Sequence, residues 1–148
     1  MVIGVPSAAS TYRPGFSVPF PQEDAAARAW RTALDMVERF APIAADWQAR
    51  HGLALGIGIG ICAGDAIIGN VGSEHYANYT IIGNPVNTAA RLMQLAAAGE
   101  VLLCGPMYER IRHLVSGHTV EGRGDVTLRG RSEPIPVYAV RAAARAAA

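Results

Sequence analysis

Asn78-Tyr79-Thr80-Ile81-Ile82-Gly83-Asn84-Pro85-Val86-Asn87-Thr88-Ala89-Ala90-Arg91-Leu92 holds a strand, a turn and the start of a helix in one short stretch. Tyr79–Ile82 is β-branched and aromatic, which suits a pleated strand, and Gly83 ends it. Asn84 is a good N-cap. Pro85 is a favoured first helical residue, because the N–H it lacks would be unpaired there anyway. The helix continues through Val86, Ala90, Met93 and Leu95 to Ala98, and Gly99 stops it. Nearly every position on it is apolar or small except Asn87, Arg91 and Gln94. Those three stand at i, i+4 and i+7, so they form a single polar stripe. Asn and Arg one turn apart set a neutral hydrogen-bonding group beside a fixed cation. That pair suits a sugar oxygen next to a phosphate that gains charge. On spacing alone, a solvated face with an arginine capping a carbonyl is the simpler explanation.

Upstream, Leu53–Cys62 alternates large residues with glycines and other small ones, which predicts a strand with something packed tightly on its glycine side. Gly64-Asp65 makes a turn, and Ala66–Gly72 reads as the returning strand of a hairpin. Gly56, Gly58 and Gly60 are not a phosphate loop. Such a loop places its glycines between a strand and a helix, whereas these alternate with isoleucine inside a strand. Glu23-Asp24 open an alanine-rich helix to about Phe40, with Ala26, Trp30, Ala33, Leu34, Val37 and Phe40 on one face. A further turn or two follows through Trp47 to Gly52. Residues 6–22 hold four prolines and read as a loop. Met1-Val2-Ile3 reads as the end of a strand.

Downstream, Glu100–Cys104 is a buried strand and Pro106–Leu114 a short helix. His118–Val120, Val126–Leu128 and Ile135–Val140 are closing antiparallel strands, and residues 141–148 form an Ala/Arg-rich tail. The order predicts an α+β sandwich, helices packed on a largely antiparallel sheet.

The 148 residues are a one-domain length, 51% apolar and 17% charged. A net charge of +1 argues against nucleic acid as partner, although a small phosphate pocket needs only two or three arginines. No apolar run is long enough to span a membrane, and the N-terminus lacks the marks of a signal peptide. Cys62 and Cys104 lie far apart in sequence and fit no metal spacing. A disulfide stays open, with a reduced cytoplasmic chain favoured, since small secreted domains are usually richer in cysteine. His51, His75, His113 and His118 show no ligand spacing and read as surface residues.

Ile57–Gly64, Gly69–Glu74 and Asn78–Leu92 together closely resemble the class III adenylyl/guanylyl cyclases. Gly99-Glu100-Val101-Leu102 and Leu128–Tyr138 match the closing strands of the same family. The resemblance is strong over 52–140 and weaker over Met1–Pro6 and Asp24–Phe40. It implies a ferredoxin-like cyclase fold over residues 1–140 that lacks its first strand or strands. By resemblance, Asn87 orients the ribose and Arg91 stabilises the pentavalent phosphorane. Thr80 falls where a Thr or Asp contacts the purine and favours adenine, so ATP is the implied substrate. Arg131, or Arg129, falls where a lysine binds the terminal phosphates. Arginine keeps the charge but replaces a point contact with a planar fork.

The resemblance also implies two Mg or Mn ions, held by two aspartates upstream of the segment resembling Met1–Gly4. Glu23, Asp24, Asp65 and Asp125 are poor substitutes, so no metal ligand is assigned. Since these cyclases are head-to-tail dimers, the expectation is a homodimer or a complementing subunit, and a chain inactive alone. A non-catalytic dimerisation or regulatory module is the alternative, and a start inside a longer cyclase the preferred account of the opening in mid-strand.

Overall fold

The computed structural model describes residues 2–4, 14–18, 20–73, 76–127 and 133–141. Its elements are β1 (Val2–Gly4), α1 (Ala25–His51), β2 (Ile59–Cys62), β3 (Ile67–Ser73), β4 (Tyr76–Ile82), α2 (Asn84–Leu95), β5 (Glu100–Cys104), α3 (Gly105–Ile111), β6 (Thr119–Val126) and β7 (Ile135–Arg141). Five strands form one sheet in the order β1-β2-β5-β7-β6, while β3 and β4 form a separate two-stranded sheet. Among the described strands β1–β7, the pairings are antiparallel except β2 with β5. The expected α+β sandwich is the observed fold.

Helices cover both faces of the five-stranded sheet. On one face α2 lies against the glycine side of β2, as the alternation requires. A Cβ on Gly60 would stand 2.3 Å from the Ala89 carbonyl oxygen and 2.4 Å from the Met93 amide nitrogen. Side chains alternate along a strand, so Ile59 and Ile61 point to the other face. There Tyr138, opposite Leu103 in register, stacks its ring on Tyr108 of α3 at 3.9 Å. The buried core joins Ile59 and Ile61 to Val101 and Leu103, with Trp30 of α1, Leu92 of α2 and Met107 and Ile111 of α3.

Several details differ from the sequence reading. α2 ends at Leu95, with extended Ala96 as its C-cap, rather than at Ala98, and α3 ends at Ile111 rather than Leu114. The expected hairpin of Leu53–Cys62 with Ala66–Gly72 is absent, since β3 pairs with β4, from Ile67↔Ile82 to Ser73↔Tyr76. β2 is also shorter than expected, because its neighbours β1 and β5 reach only Ile59–Cys62. Ahead of it, Gly56 and Gly58 pass against Ala98 and Ala96, and the Ile57 carbonyl accepts the Gly99 amide at 2.8 Å. α1 is one helix running through Pro42, where the lost hydrogen bond leaves a carbonyl on the exposed Glu38. β6 is a single strand where two were expected. A bulge between Gly122 and Gly124, the latter at φ +72°, carries it through the polar run. Finally, Gly83 rather than Asn84 takes the N-cap position of α2. Its φ of +154° suits only glycine, and a Cβ there would lie 3.2 Å from Asp65 O and Ala66 Cα.

Two histidines separate. His113 is exposed, whereas His118 is half-buried, meets Trp30 edge-on at 5.2 Å, and has a buried Nδ1 with no hydrogen-bond partner. Among the described residues no helix is long and apolar enough to cross a membrane.

Candidate functional site

α2 is positioned by its buried face. Pro85, Val86, Thr88, Ala89 and Leu92 are buried, and the close approach at Gly60 fixes the helix against β2. Asn87, Arg91 and Gln94 emerge on the opposite side, all three exposed. Arg91 Nη1 donates to Gln94 Oε1 at 3.2 Å. Among the described residues Arg91 forms no ion pair, in contrast to Arg123 and Arg141, which both hold Glu100. The guanidinium is therefore held by one neutral neighbour and keeps donors for an anion.

Thr80 lies on β4 opposite Gly69, half-buried, three residues before the turn into α2. Strand β4, Gly83 and α2 thus place Thr80, Asn87 and Arg91 in one continuous strand–turn–helix unit. Arg129 and Arg131 lie outside the described residues. A cavity of about 320 Å³ opens under the N-terminus of α2, lined by Cys62, Ala63, Gly64, Asp65, Asn84 and Cys104 among others, and neither Asn87, Arg91 nor Thr80 lines it. In the single chain the polar stripe is an open surface.

The pattern of the Adenylate and Guanylate cyclase catalytic domain family matches residues 4–142. The chain belongs to this family. The nucleotide cyclase fold is seen again in solved structures. The adenylyl cyclase CyaB from P. aeruginosa superposes with a TM-score of 0.80 over 99% of this chain and 75% of that one, at 24% identity. The guanylyl cyclase Cya2 superposes with a TM-score of 0.72 over 84% of this chain and 62% of that one, at 25% identity. The guanylate cyclase domain of RhGC from Catenaria anguillulae, in complex with GTP, gives 0.73 over 95% and 72%, at 23% identity. An uncharacterised protein of Mycobacterium tuberculosis is 38% identical over 89 residues. The match takes in 53% of this chain and only 14% of that protein.

Cyclases of this family generally use divalent cations, and the described residues do not fit such a centre. Among them no His, Cys, Asp and Glu side chains gather in a cluster of three or more. Their one buried carboxylate, Glu100, is already committed. It accepts Arg123 Nη2 at 2.6 Å, Arg141 Nη2 at 3.2 Å and the Ala97 amide at 3.0 Å. Burial alone would raise its pKa, but the Ala97 amide and the two guanidiniums outweigh it and hold the carboxyl below its usual value. Reading along the chain gave Glu100 only as part of a buried strand. Its partners come from β6 and β7, and no local pattern announces them.

Proposed function

We propose that this domain is the transition-state half of a composite adenylate cyclase site, converting ATP to cyclic AMP and pyrophosphate in cytoplasmic signalling. The observation that carries the proposal is the Asn87–Arg91 pair, one turn apart and exposed on a helix whose other face is locked to the sheet. Asn87 hydrogen-bonds the ribose and aims its 3′-oxygen at the α-phosphorus. As that oxygen attacks, charge builds on the phosphoryl oxygens, and the Arg91 guanidinium meets it with fixed donors. The new 3′-O–P bond forms as the 3′-hydroxyl gives up its proton to solvent and the bond to the bridging oxygen breaks, and pyrophosphate leaves. Thr80 contacts the purine edge in favour of adenine, and Arg131 or Arg129 holds the terminal phosphates.

The described residues hold no place for the ions, so in this reading the metal-bearing half of the site comes from a complementing subunit, since a homodimer partner brings the same residues. The same observation favours a second reading, a non-catalytic dimerisation module that keeps the fold and has lost the chemistry. Mixing separates the two. The chain is combined with a cyclase chain that keeps its metal-binding aspartates but has lost its own transition-state Asn and Arg, and ATP or GTP is supplied with manganese. Each chain alone is inactive under the proposal, and the mixture makes cyclic AMP from ATP in preference to cyclic GMP from GTP. A mixture that dimerises without turnover establishes the non-catalytic reading.

A further inference from the structure

Cys62 and Cys104, well separated in sequence, end two neighbouring strands. The parallel register of β2 and β5 pairs Gly60↔Leu102 and Ile61↔Leu103, so the next step along both strands sets Cys62 beside Cys104. Adjacent strands lie about 4.8 Å apart. That spacing falls within the roughly 4.4–6.8 Å Cα separation a disulfide spans. Both side chains point to the α2 face, since they share the parity of Gly60 and Leu102. Both are thiols here, 5% and 1% exposed, and both line the cavity under the N-terminus of α2.

The local backbone treats the two sulfurs as one site. Cys62 Sγ donates to the Ala63 carbonyl at 3.7 Å, and the Ala63 amide donates to Cys104 Sγ at 3.3 Å. A hydrogen bond from the Cys62 thiol, with backbone amides adding to it against the opposing effect of burial, brings the Cys104 thiol down to about 7. The lowering favours the thiolate at Cys104, and thiolate is the form that reacts. The site is separate from the Asn87–Arg91 surface, and nothing in the cyclase chemistry uses it.

We propose that Cys62 and Cys104 form a hydroperoxide-reactive dithiol that closes reversibly to a disulfide across β2 and β5. Cys104 thiolate attacks one oxygen of a hydroperoxide, the O–O bond breaks, and the leaving oxygen takes up a proton as water or alcohol. The resulting sulfenic acid is attacked by Cys62 sulfur, the S–S bond forms, and the sulfenic hydroxyl leaves as a second water. Two thiols are oxidised by one peroxide, and a dithiol reductant restores them. The cavity admits a molecule of peroxide size, and its other wall is Asn84 and Pro85, the first turn of the helix that carries Asn87 and Arg91.

The test is peptide mapping by mass spectrometry of the folded chain after hydrogen peroxide treatment, with alkylation before and after reduction. The expected result is an intramolecular Cys62–Cys104 cross-link that dithiothreitol reverses, with dimedone trapping sulfenic acid at Cys104 in C62S. Unreacted thiols, bridges only between molecules, or separate sulfinic acids without a bridge would each overturn the proposal. The cross-link is read on the unaltered sequence, so the conclusion stands whether or not the serine variants fold.

Discussion

Gly60 meets a helix backbone at two atoms, Ala89 O and Met93 N, and neither can swing aside as a side-chain tip can. Gly60→Val is therefore expected to destabilise the chain by about 1–3 kcal/mol, the usual cost of overpacking. Urea denaturation measures it, and an unchanged midpoint would show that α2 is not held there. Glu100 makes a different kind of contribution. Its folded-state pKa lies below its unfolded value, so the stability it adds is complete above the unfolded value of about 4.3 and is lost as pH falls through the lowered one. Glu100→Gln should cost on the order of 1–2 kcal/mol at neutral pH, a charged hydrogen-bond effect discounted because Arg123 and Arg141 are partly exposed. The variant should also lose less stability than the parent on acidification, which denaturation at about pH 7 and pH 3.5 would compare, on either side of the ordinary glutamate value. Parallel losses would mean that other carboxylates govern the acid limb.

At the scale of elements, α1 continues through Pro42 although proline costs a helix interior about 3 kcal/mol relative to alanine. Pro42→Ala should accordingly slow amide exchange over residues 38–51 and raise helicity by circular dichroism; unchanged protection would show that the helix is already broken there. What was legible in the sequence divides along the same line. α2 could be read because its signals are local: Pro85 at its start and a polar stripe at helical spacing along it, although the helix ends at Leu95, short of the expected stop at Gly99. The partners of β2 could not. A short Gly-Asp turn suggests a hairpin, yet β2 takes β1 and β5 as neighbours, and β3 is left to pair with β4. The same long-range pairing hid the meeting of Cys62 with Cys104 and of Glu100 with Arg123. Asn87 and Arg91 were legible as candidates because a single helix presents both, whereas the ion-binding half of the chemistry has no counterpart among their neighbours.

At the scale of the molecule, the central claim is that the exposed face of α2 completes a site on a second chain. The described residues carry a docked helix with an available guanidinium and no cluster of metal ligands. The chain spans 14–15% of the length of the mycobacterial relatives it matches. The most direct measurement is the turnover of ATP by the mixture of this chain with the aspartate-bearing partner, comparing the parent with Arg91→Ala at equal dimer content. Removing one transition-state donor costs about 10²-fold or more in kcat, and the account predicts a loss of that size with little change in KM. Turnover within a few-fold of the parent would contradict it and leave Arg91 a solvated residue on a helix face.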